Sequence, residues 1–295
     1  MSEPRIINGE SIARRLREEA ADAVRRMTAE GARPSLDVLM VGDPSAGAIY
    51  ARSQRQQCEQ VGIVYRLHTL PEDATEPAIR ERIRELNSDP AVTGILLNLP
   101  LPPGIDTHAM QFYIDPYKDV EGVNPANIGL LFYDSPIMAP CTALAVMEVL
   151  KEAGVSVRGL DAVVVGQGPV AGRPISLFLG HEMATVTGCH IATKELAEHT
   201  RRADLLVVAV GKPGLIRAEH VRPGAIVIDV GINRVRDAEG RTRVVGDVDY
   251  DSVRRVAGVL TPVPGGVGPV TVAMLLRSAV EAARKQLVVP RRLDT

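Results

Sequence analysis

The chain of 295 residues contains no tryptophan and three phenylalanines, so its core must be aliphatic, which suits buried parallel strands. Its cysteines, Cys58, Cys141 and Cys189, are odd in number, far apart and outside any CxxC or Cys/His spacing. That pattern argues against a disulfide framework and against a zinc site, and no metal is expected. Every apolar run breaks at glycine, proline or a charge before it reaches the length of a membrane helix. The opening MSEPRIINGE lacks an apolar core segment, so no secretory signal is expected and the compartment is read as cytoplasmic. A net charge of −2 provides no general attraction to nucleic acid or to an anionic membrane.

What is present is an alternation of short apolar runs with amphipathic segments. Ile12, Leu16, Ala20, Ala23 and Met27 repeat at helical spacing within Gly9–Glu30. Leu36–Val41 reads as a strand, breaks at Gly42-Asp43-Pro44 and is followed by a helix over Ala46–Gln60, on which Tyr50 and Gln54 share a face. Val64–Leu67, the helix Thr75–Asn87 and the strand Val92–Leu97 follow, the last running into Asn98-Leu99-Pro100-Leu101-Pro102-Pro103-Gly104. Prolines so placed make a stiff loop at a strand's carboxyl end, where α/β proteins keep groups that contact ligands. A helix from Pro140-Cys141-Thr142 to Glu152 is expected to bridge two domains.

From Leu160 the pattern restarts. The strand Leu160–Val165 leads into Gly166-Gln167-Gly168-Pro169-Val170-Ala171-Gly172-Arg173-Pro174 and a helix to about Leu179. Ala184–Gly188, Leu205–Val210 and Ala225–Val230 supply further strands, and turns at Gly211 and Gly231-Ile232-Asn233 end two of them. This is a mononucleotide-binding βαβ arrangement with a GxGxxxG loop, suited to a dinucleotide phosphate at a helix N-terminus. After Ala184–Gly188 the chain reads Cys189-His190-Ile191-Ala192-Thr193, with neither the acid that favours NAD nor the arginine that favours NADP. The run Pro262–Pro269, with three glycines and three prolines, is read as neither helix nor strand but as backbone able to approach a ligand closely. A helix over Val270–Lys285 and a frayed tail, Pro290–Thr295, complete the reading.

The segments VGDPSAGAIY, NLPLP, YKDVEGVNP, VVVGQGPVAGRP, GAIVIDVGIN, GDVDY and TPVPGGVGPVTVAMLL, in this order, resemble the methylenetetrahydrofolate dehydrogenase/methenyltetrahydrofolate cyclohydrolase family over almost the whole chain. The resemblance implies a two-domain α/β protein. A folate-binding catalytic domain would span 1–140, completed by 270–295, and a Rossmann NAD(P)-binding domain would span 141–269. Folate would lie in a cleft between them, usually in a homodimer. The resemblance further implies Tyr50, Gln54, Asn98 and Glu121 at the catalytic positions, with Leu99, Pro264, Gly265, Gly268 and Pro269 also against the folate. It implies Gly166, Gln167, Gly168, Gly172, Arg173, Ile191, Val210, Gly211, Gly231, Ile232 and Thr271 for the dinucleotide.

Three positions depart from the family pattern. Gln54 stands where the family has the lysine that handles protons, Asn98 where it has glutamine, and Glu121 where it has the aspartate that holds the pterin. Glu121 keeps a carboxylate and Asn98 keeps an amide, but Gln54 loses the titratable ammonium. Hydride transfer depends on positioning and on the cofactor, so dehydrogenase activity is expected to survive where cyclohydrolase activity weakens or disappears. Gln167-Gly168 and Ile191 replace the family's Arg-Ser and Ser, which tilts the cofactor from NADP towards NAD. The alternatives are a repurposed, non-catalytic folate or nucleotide binder acting through a partner, and another Rossmann oxidoreductase acting on a small acid. NLPLP and Thr261–Thr271 speak against the last.

Overall fold

The computed structural model describes residues 3–42, 44–236 and 240–288, and the side chains of residues 44–50 lie outside that description. In chain order its first elements are β1 (Arg5–Ile6), α1 (Gly9–Ala29), β2 (Ser35–Val41), α2 (Pro44–Val61), β3 (Val64–Leu70), α3 (Glu76–Ser88), β4 (Ile95–Leu97), α4 (Thr107–Phe112) and α5 (Pro125–Phe132). They are followed by α6 (Cys141–Glu152), β5 (Asp161–Val165), α7 (Gly172–His181), β6 (Thr185–Cys189), α8 (Leu196–Thr200), β7 (Leu205–Val208) and β8 (Ile226–Asp229). The chain ends with β9 (Asn233–Arg236), β10 (Thr242–Val245), α9 (Tyr250–Val253), β11 (Val259–Leu260) and α10 (Val267–Val288). Two compact units result: Arg15–Cys141 with Leu275–Thr295, and Met1–Arg14 with Thr142–Met274.

In the first unit, three parallel strands lie in the order β3-β2-β4, with every residue of β2 buried. Ile79, Ile83 and Leu86, on one face of α3, pack with Leu39, Ile95 and Leu97 from the sheet. On α1 the buried stripe is completed by Val24, not by the half-buried Ala23 that the periodicity suggested. The edge strand β3 is held by a polar anchor. Asp37, fully buried on β2, accepts from Arg66 Nε at 2.6 Å and Nη2 at 2.9 Å, and from Ser35 Oγ at 2.8 Å. His68 Nε2 lies 2.8 Å from the same carboxylate, and Arg82 Nη2 lies 2.9 Å from His68 Nδ1. An arginine only donates, so Nδ1 accepts and Nε2 carries the proton given to Asp37. A one-residue slip of β3 would point Arg66 and His68 away from Asp37, so the anchor also sets the register.

The polar loop after α4 contains structure that sequence periodicity does not reveal. Lys118 Nζ donates to the carbonyls of Leu86, Asn87 and Asp89 at 3.1, 2.6 and 2.9 Å and so closes the C-terminus of α3. Asn124 caps α5 by accepting from Ala126 N at 2.8 Å, and Pro125 occupies the first helical turn.

In the second unit, the six-stranded parallel sheet has the order β1-β11-β8-β7-β5-β6. From β5 the chain passes to β6 on one side and to β7 on the other. That reversal opens a crevice at the carboxyl ends of β5 and β7, the ligand position of open parallel sheets. β1 was not foreseen, being only two residues long, and neither was the antiparallel β9-β10 pair, whose Arg-rich strands show no apolar run. The run Pro262–Pro269 is corrected in part. Val267, Gly268 and Pro269 form the first turn of α10, a place where proline's missing N–H costs nothing. The expectation for Pro290–Thr295 lies outside the described residues.

The Asp37 anchor has a measurable worth. Replacement by Ala should lower the unfolding free energy by about 2–3 kcal/mol in urea titrations, less than a fully buried ion pair because Arg66 is 35% exposed. An unchanged midpoint would show that the anchor contributes no stability.

Candidate active site

In the unit built on β2, β3 and β4, the candidate side chains come from α2 and from the loops that leave β4. Gln54 lies on α2 and is only 4% exposed, yet neither Oε1 nor Nε2 has a hydrogen-bond partner among the described residues. A buried amide left unpaired costs about 1–3 kcal/mol, so its position is one that a ligand would complete. Its described neighbours on α2 offer no proton shuttle. Arg52 and Arg55 are exposed, with Arg55 stacked 5.5 Å from the centre of the Tyr65 ring. Cys58, one turn along the same face, is fully buried, and that burial pushes its thiol up to about 12. Tyr50 belongs to the same helix, and its side chain lies outside the described residues.

Asn98 follows β4 directly and is half-buried; its amide N–H extends the strand's pairing by donating to Leu39 O at 2.8 Å. Leu99 is 45% exposed and begins the proline loop with a cis Leu99–Pro100 bond. Beside β4, a parallel bridge between Ile95 and Asp119 brings the YKDVEG segment alongside the strand. Asp119 is buried and accepts from Gly122 N at 3.1 Å, Asn124 N at 2.8 Å and Asn127 Nδ2 at 2.9 Å. Burial raises its carboxyl, and these donors act against the rise. Two residues on, Glu121 makes no hydrogen bond among the described residues. Its surface is only partly exposed, and desolvation, reinforced by the charge of Asp119, pushes its carboxyl up to about 8. Within this motif Lys118, Asp119 and Asn124 serve the scaffold, which leaves Glu121 as the group with free acceptor capacity. Cys141, whose thiol donates to Val120 O at 3.2 Å and lies 3.6 Å from Ser278 Oγ, packs behind it.

In the other unit, the dinucleotide loop joins β5 to α7. Gly166 has φ +102°, and a Cβ there would collide with Ala209 O; a Cβ on Gly172 would collide with Gly166 O. The loop is therefore drawn tightly over the N-terminus of α7, the geometry of a diphosphate cradle. Gly168 is exposed with open space around it, and Arg173 is exposed. Gln167 is turned inward. Its Nε2 donates to Val164 O at 3.1 Å, and its amide covers Gly188 near the end of β6. The side chain that replaces a family arginine is thus folded against the sheet. Ile191 is fully exposed, and residues 190–193, which follow β6 directly, include no acid.

Val210 and Gly211 leave β7, and Gly231 and Ile232 leave β8, so both turns stand at the carboxyl edge beside the cradle. Pro264, Gly265, Gly268, Pro269 and Thr271 lie in this same unit, on the turn after β11 and the first turns of α10. Two residues that sequence reasoning passed over sit beneath these turns: Asp229, 3% exposed, and Asp247, fully buried. Both lie within segments that carry the family resemblance, GAIVIDVGIN and GDVDY, but nothing in those strings marks either aspartate as buried. No group of three or more His, Cys, Asp or Glu among the described residues is placed to hold a metal, and no described helix is long and apolar enough to cross a membrane.

Comparison with known proteins agrees with this arrangement. Residues 7–121 match the tetrahydrofolate dehydrogenase/cyclohydrolase catalytic domain, and residues 140–287 match the NAD(P)-binding domain of the same proteins. The bifunctional protein FolD of Bordetella petrii is 47% identical over 281 residues, covering 95% of this chain and 94% of that protein. The crystal structure of the bifunctional enzyme FolD from Campylobacter jejuni superposes with a TM-score of 0.90 at 39% identity, covering 95% of this chain and 99% of that one. The Trypanosoma brucei FolD structure, complexed with NADP cofactor and inhibitor, gives a TM-score of 0.91 at 38% identity, with 98% of this chain and 100% of that one covered. With both domain matches in sequence, a diphosphate cradle on the parallel sheet and relatives of this similarity over nearly full length, the chain belongs to the tetrahydrofolate dehydrogenase/cyclohydrolase family.

Proposed function

We propose that this protein oxidises methylenetetrahydrofolate to methenyltetrahydrofolate with a nicotinamide dinucleotide, and that its hydrolysis of the methenyl product is weak or lost. The observation that carries the reading is the buried Gln54 amide without a partner, at the position of the family lysine. The unit of residues 15–141 and 275–295 is assigned the folate, and the cradle at Gly166–Gly172 the dinucleotide.

The two reactions ask different things of the site. In the oxidation the methylene carbon loses a hydride and becomes the methenyl cation; no water enters. A bound nicotinamide supplies the acceptor for that hydride. The protein's part is to hold the carbon in line, which Gln54 does by offering one donor and one acceptor to the folate from a fixed helix. Hydrolysis adds water to the methenyl carbon, breaks one carbon–nitrogen bond and releases one proton as the formyl product forms. A group must take a proton from the water and return one to the departing nitrogen, and an amide does neither near neutral pH. Glu121 is assigned the pterin, its carboxylate accepting from the amino group and a ring N–H. Asn98 presents a second, shorter amide at the end of β4.

The cofactor is read as NAD. The inward Gln167, the exposed apolar Ile191 and the lack of a lysine or arginine in residues 189–193 remove partners that a ribose phosphate would use.

Purified protein given methylenetetrahydrofolate with NAD or with NADP should accumulate methenyl product faster than it forms formyl product, and Gln54→Lys should restore hydrolysis. Efficient hydrolysis by the parent protein would sink the Gln54 argument, and folate binding without hydride transfer would favour a repurposed binder. Gln167→Arg should raise kcat/KM with NADP relative to NAD by about tenfold, the worth of one charge-assisted hydrogen bond; an unchanged ratio would refute the role given to Gln167.

Glu121 supplies a pH test. Its carboxyl is raised from 4.5 to about 8 in the free protein. The protonated form is therefore favoured on folding, and this contribution to stability declines as pH rises from about 4.5 to about 8, then levels off. Folate binding needs the anion, so KM for folate should fall as pH rises towards about 8. In Glu121→Gln both trends should flatten, as read by urea titration and by KM against pH; trends identical to the parent's would exclude Glu121 as their source.

A further inference from the structure

Beneath the turns that follow β7 and β8 lie two buried carboxylates that accept half of their hydrogen bonds from those turns and the rest from Asn233, Asp247 and Val248. Asp247 Oδ2 accepts from Val210 N at 2.6 Å and Gly211 N at 3.0 Å, and its Oδ1 accepts from Asn233 Nδ2 at 2.8 Å. Asp229 Oδ1 accepts from Gly231 N at 2.9 Å and Asp247 N at 3.1 Å, and its Oδ2 accepts from Val248 N at 3.0 Å. The amide of Asp229 donates in turn to Thr261 Oγ1 at 2.8 Å, which ties in the start of the proline-glycine run.

The two groups interlock through their glycines. A Cβ on Gly231, two residues after Asp229, would collide with the Asp247 carboxylate, and a Cβ on Gly246, which precedes Asp247, would collide with the Asp229 carboxylate. The arrangement extends to the diphosphate cradle, because a Cβ on Gly166 would meet Ala209 O and Val210 Cγ1. The two buried carboxylates thus fix three segments, 210–211, 231–233 and 247–248, and the backbone amide of Asp229 ties in Thr261.

We propose that Asp229 and Asp247 are positioning residues for the dinucleotide, holding the Val210-Gly211 and Gly231-Ile232 turns in the shape that receives it. The inference rests on the dinucleotide reading given above. Their carboxylates hold the turns, and the one tie to the proline-glycine run is the Asp229 backbone amide, which Asp229→Asn keeps, so the side chains act on cofactor affinity and leave folate affinity alone. Their grip is also sensitive to acid. Burial pushes Asp229 up to about 6, the three amides of Gly231, Asp247 and Val248 acting against the rise and the facing charge of Asp247 adding to it. Protonation removes acceptor capacity from oxygens that face only N–H donors, so the turns loosen as pH falls through about 6.

Calorimetric titration of the full chain with NAD or NADP, and separately with tetrahydrofolate, tests this. Asp247→Asn should weaken dinucleotide binding by about tenfold or more, since it sets an N–H group against backbone donors, while tetrahydrofolate binding stays within about twofold. The parent's dinucleotide affinity should fall as pH drops through about 6, and Asp229→Asn should bind weakly with no such step. Unchanged dinucleotide affinity in Asp247→Asn, an equal loss for both ligands, or a step that survives in Asp229→Asn overturns the proposal. If either aspartate variant fails to fold, Asn233→Ala decides: it removes a single donor to Asp247, and it should weaken the dinucleotide alone. An unchanged affinity there, together with a flat parent profile across pH 6, also overturns the proposal. A parent protein that binds tetrahydrofolate and neither dinucleotide would instead remove the functional reading itself.

Discussion

Backbone amides that leave a parallel strand at its carboxyl edge point into a region with little water, and each needs an acceptor. In this protein buried aspartates supply them. Asp119 gathers the turn beside β4, and Asp229 and Asp247 gather the turns after β7, β8 and β10. Each is a costly group to bury, and each is made tolerable by three donors. The edge that results is rigid without a helix or a sheet ladder to stiffen it. Side chains such as Glu121 and Asn98 stand on that rigid edge with their own polar groups uncommitted.

This division of labour explains why some features were legible in the sequence and others were not. The inner strands β2 and β5 announced themselves as apolar runs because they are buried on both faces, and the GxGxxxG loop did so because no other residue fits where Gly166 and Gly172 touch backbone. Asp229 and Asp247 carried no such signature: an acid within two residues of a glycine at a strand end looks like an ordinary solvated turn. β1 escaped for lack of length, and the β9-β10 pair because its strands alternate charged with half-buried residues. The YKDVEG segment shows the problem most clearly. A lysine and three acids or amides there look alike as a string, yet Lys118, Asp119 and Asn124 are structural and Glu121 is not. Hydrogen bonds separated them, and composition did not.

On the proposed reading, the chemistry follows from which groups titrate. Gln54 cannot change charge, while Glu121 and Asp229 are moved by burial into the range where ordinary buffers protonate them. The ionisable groups of the candidate site are thus gathered where ligands are held, and the place where a proton would have to be moved has been left neutral. Binding then inherits a dependence on acidity that turnover lacks. A family with two linked reactions is well suited to such a change, because hydride transfer and hydrolysis share a substrate position but not a proton inventory.

The three carbonyls that surround the Lys118 ammonium carry a consequence for the ancestry of this site. A lysine three positions from the carboxylate assigned to the pterin would be the obvious stand-in if the proton-handling one were replaced. With its charge committed to the end of α3, it is closed to recruitment: a descendant that freed it would unravel the helix before gaining a shuttle. Reversion at residue 54 is the short route, since glutamine and lysine codons differ only in their first base. On the proposed reading hydrolysis is one nucleotide away, and the neighbouring lysine is held by the fold.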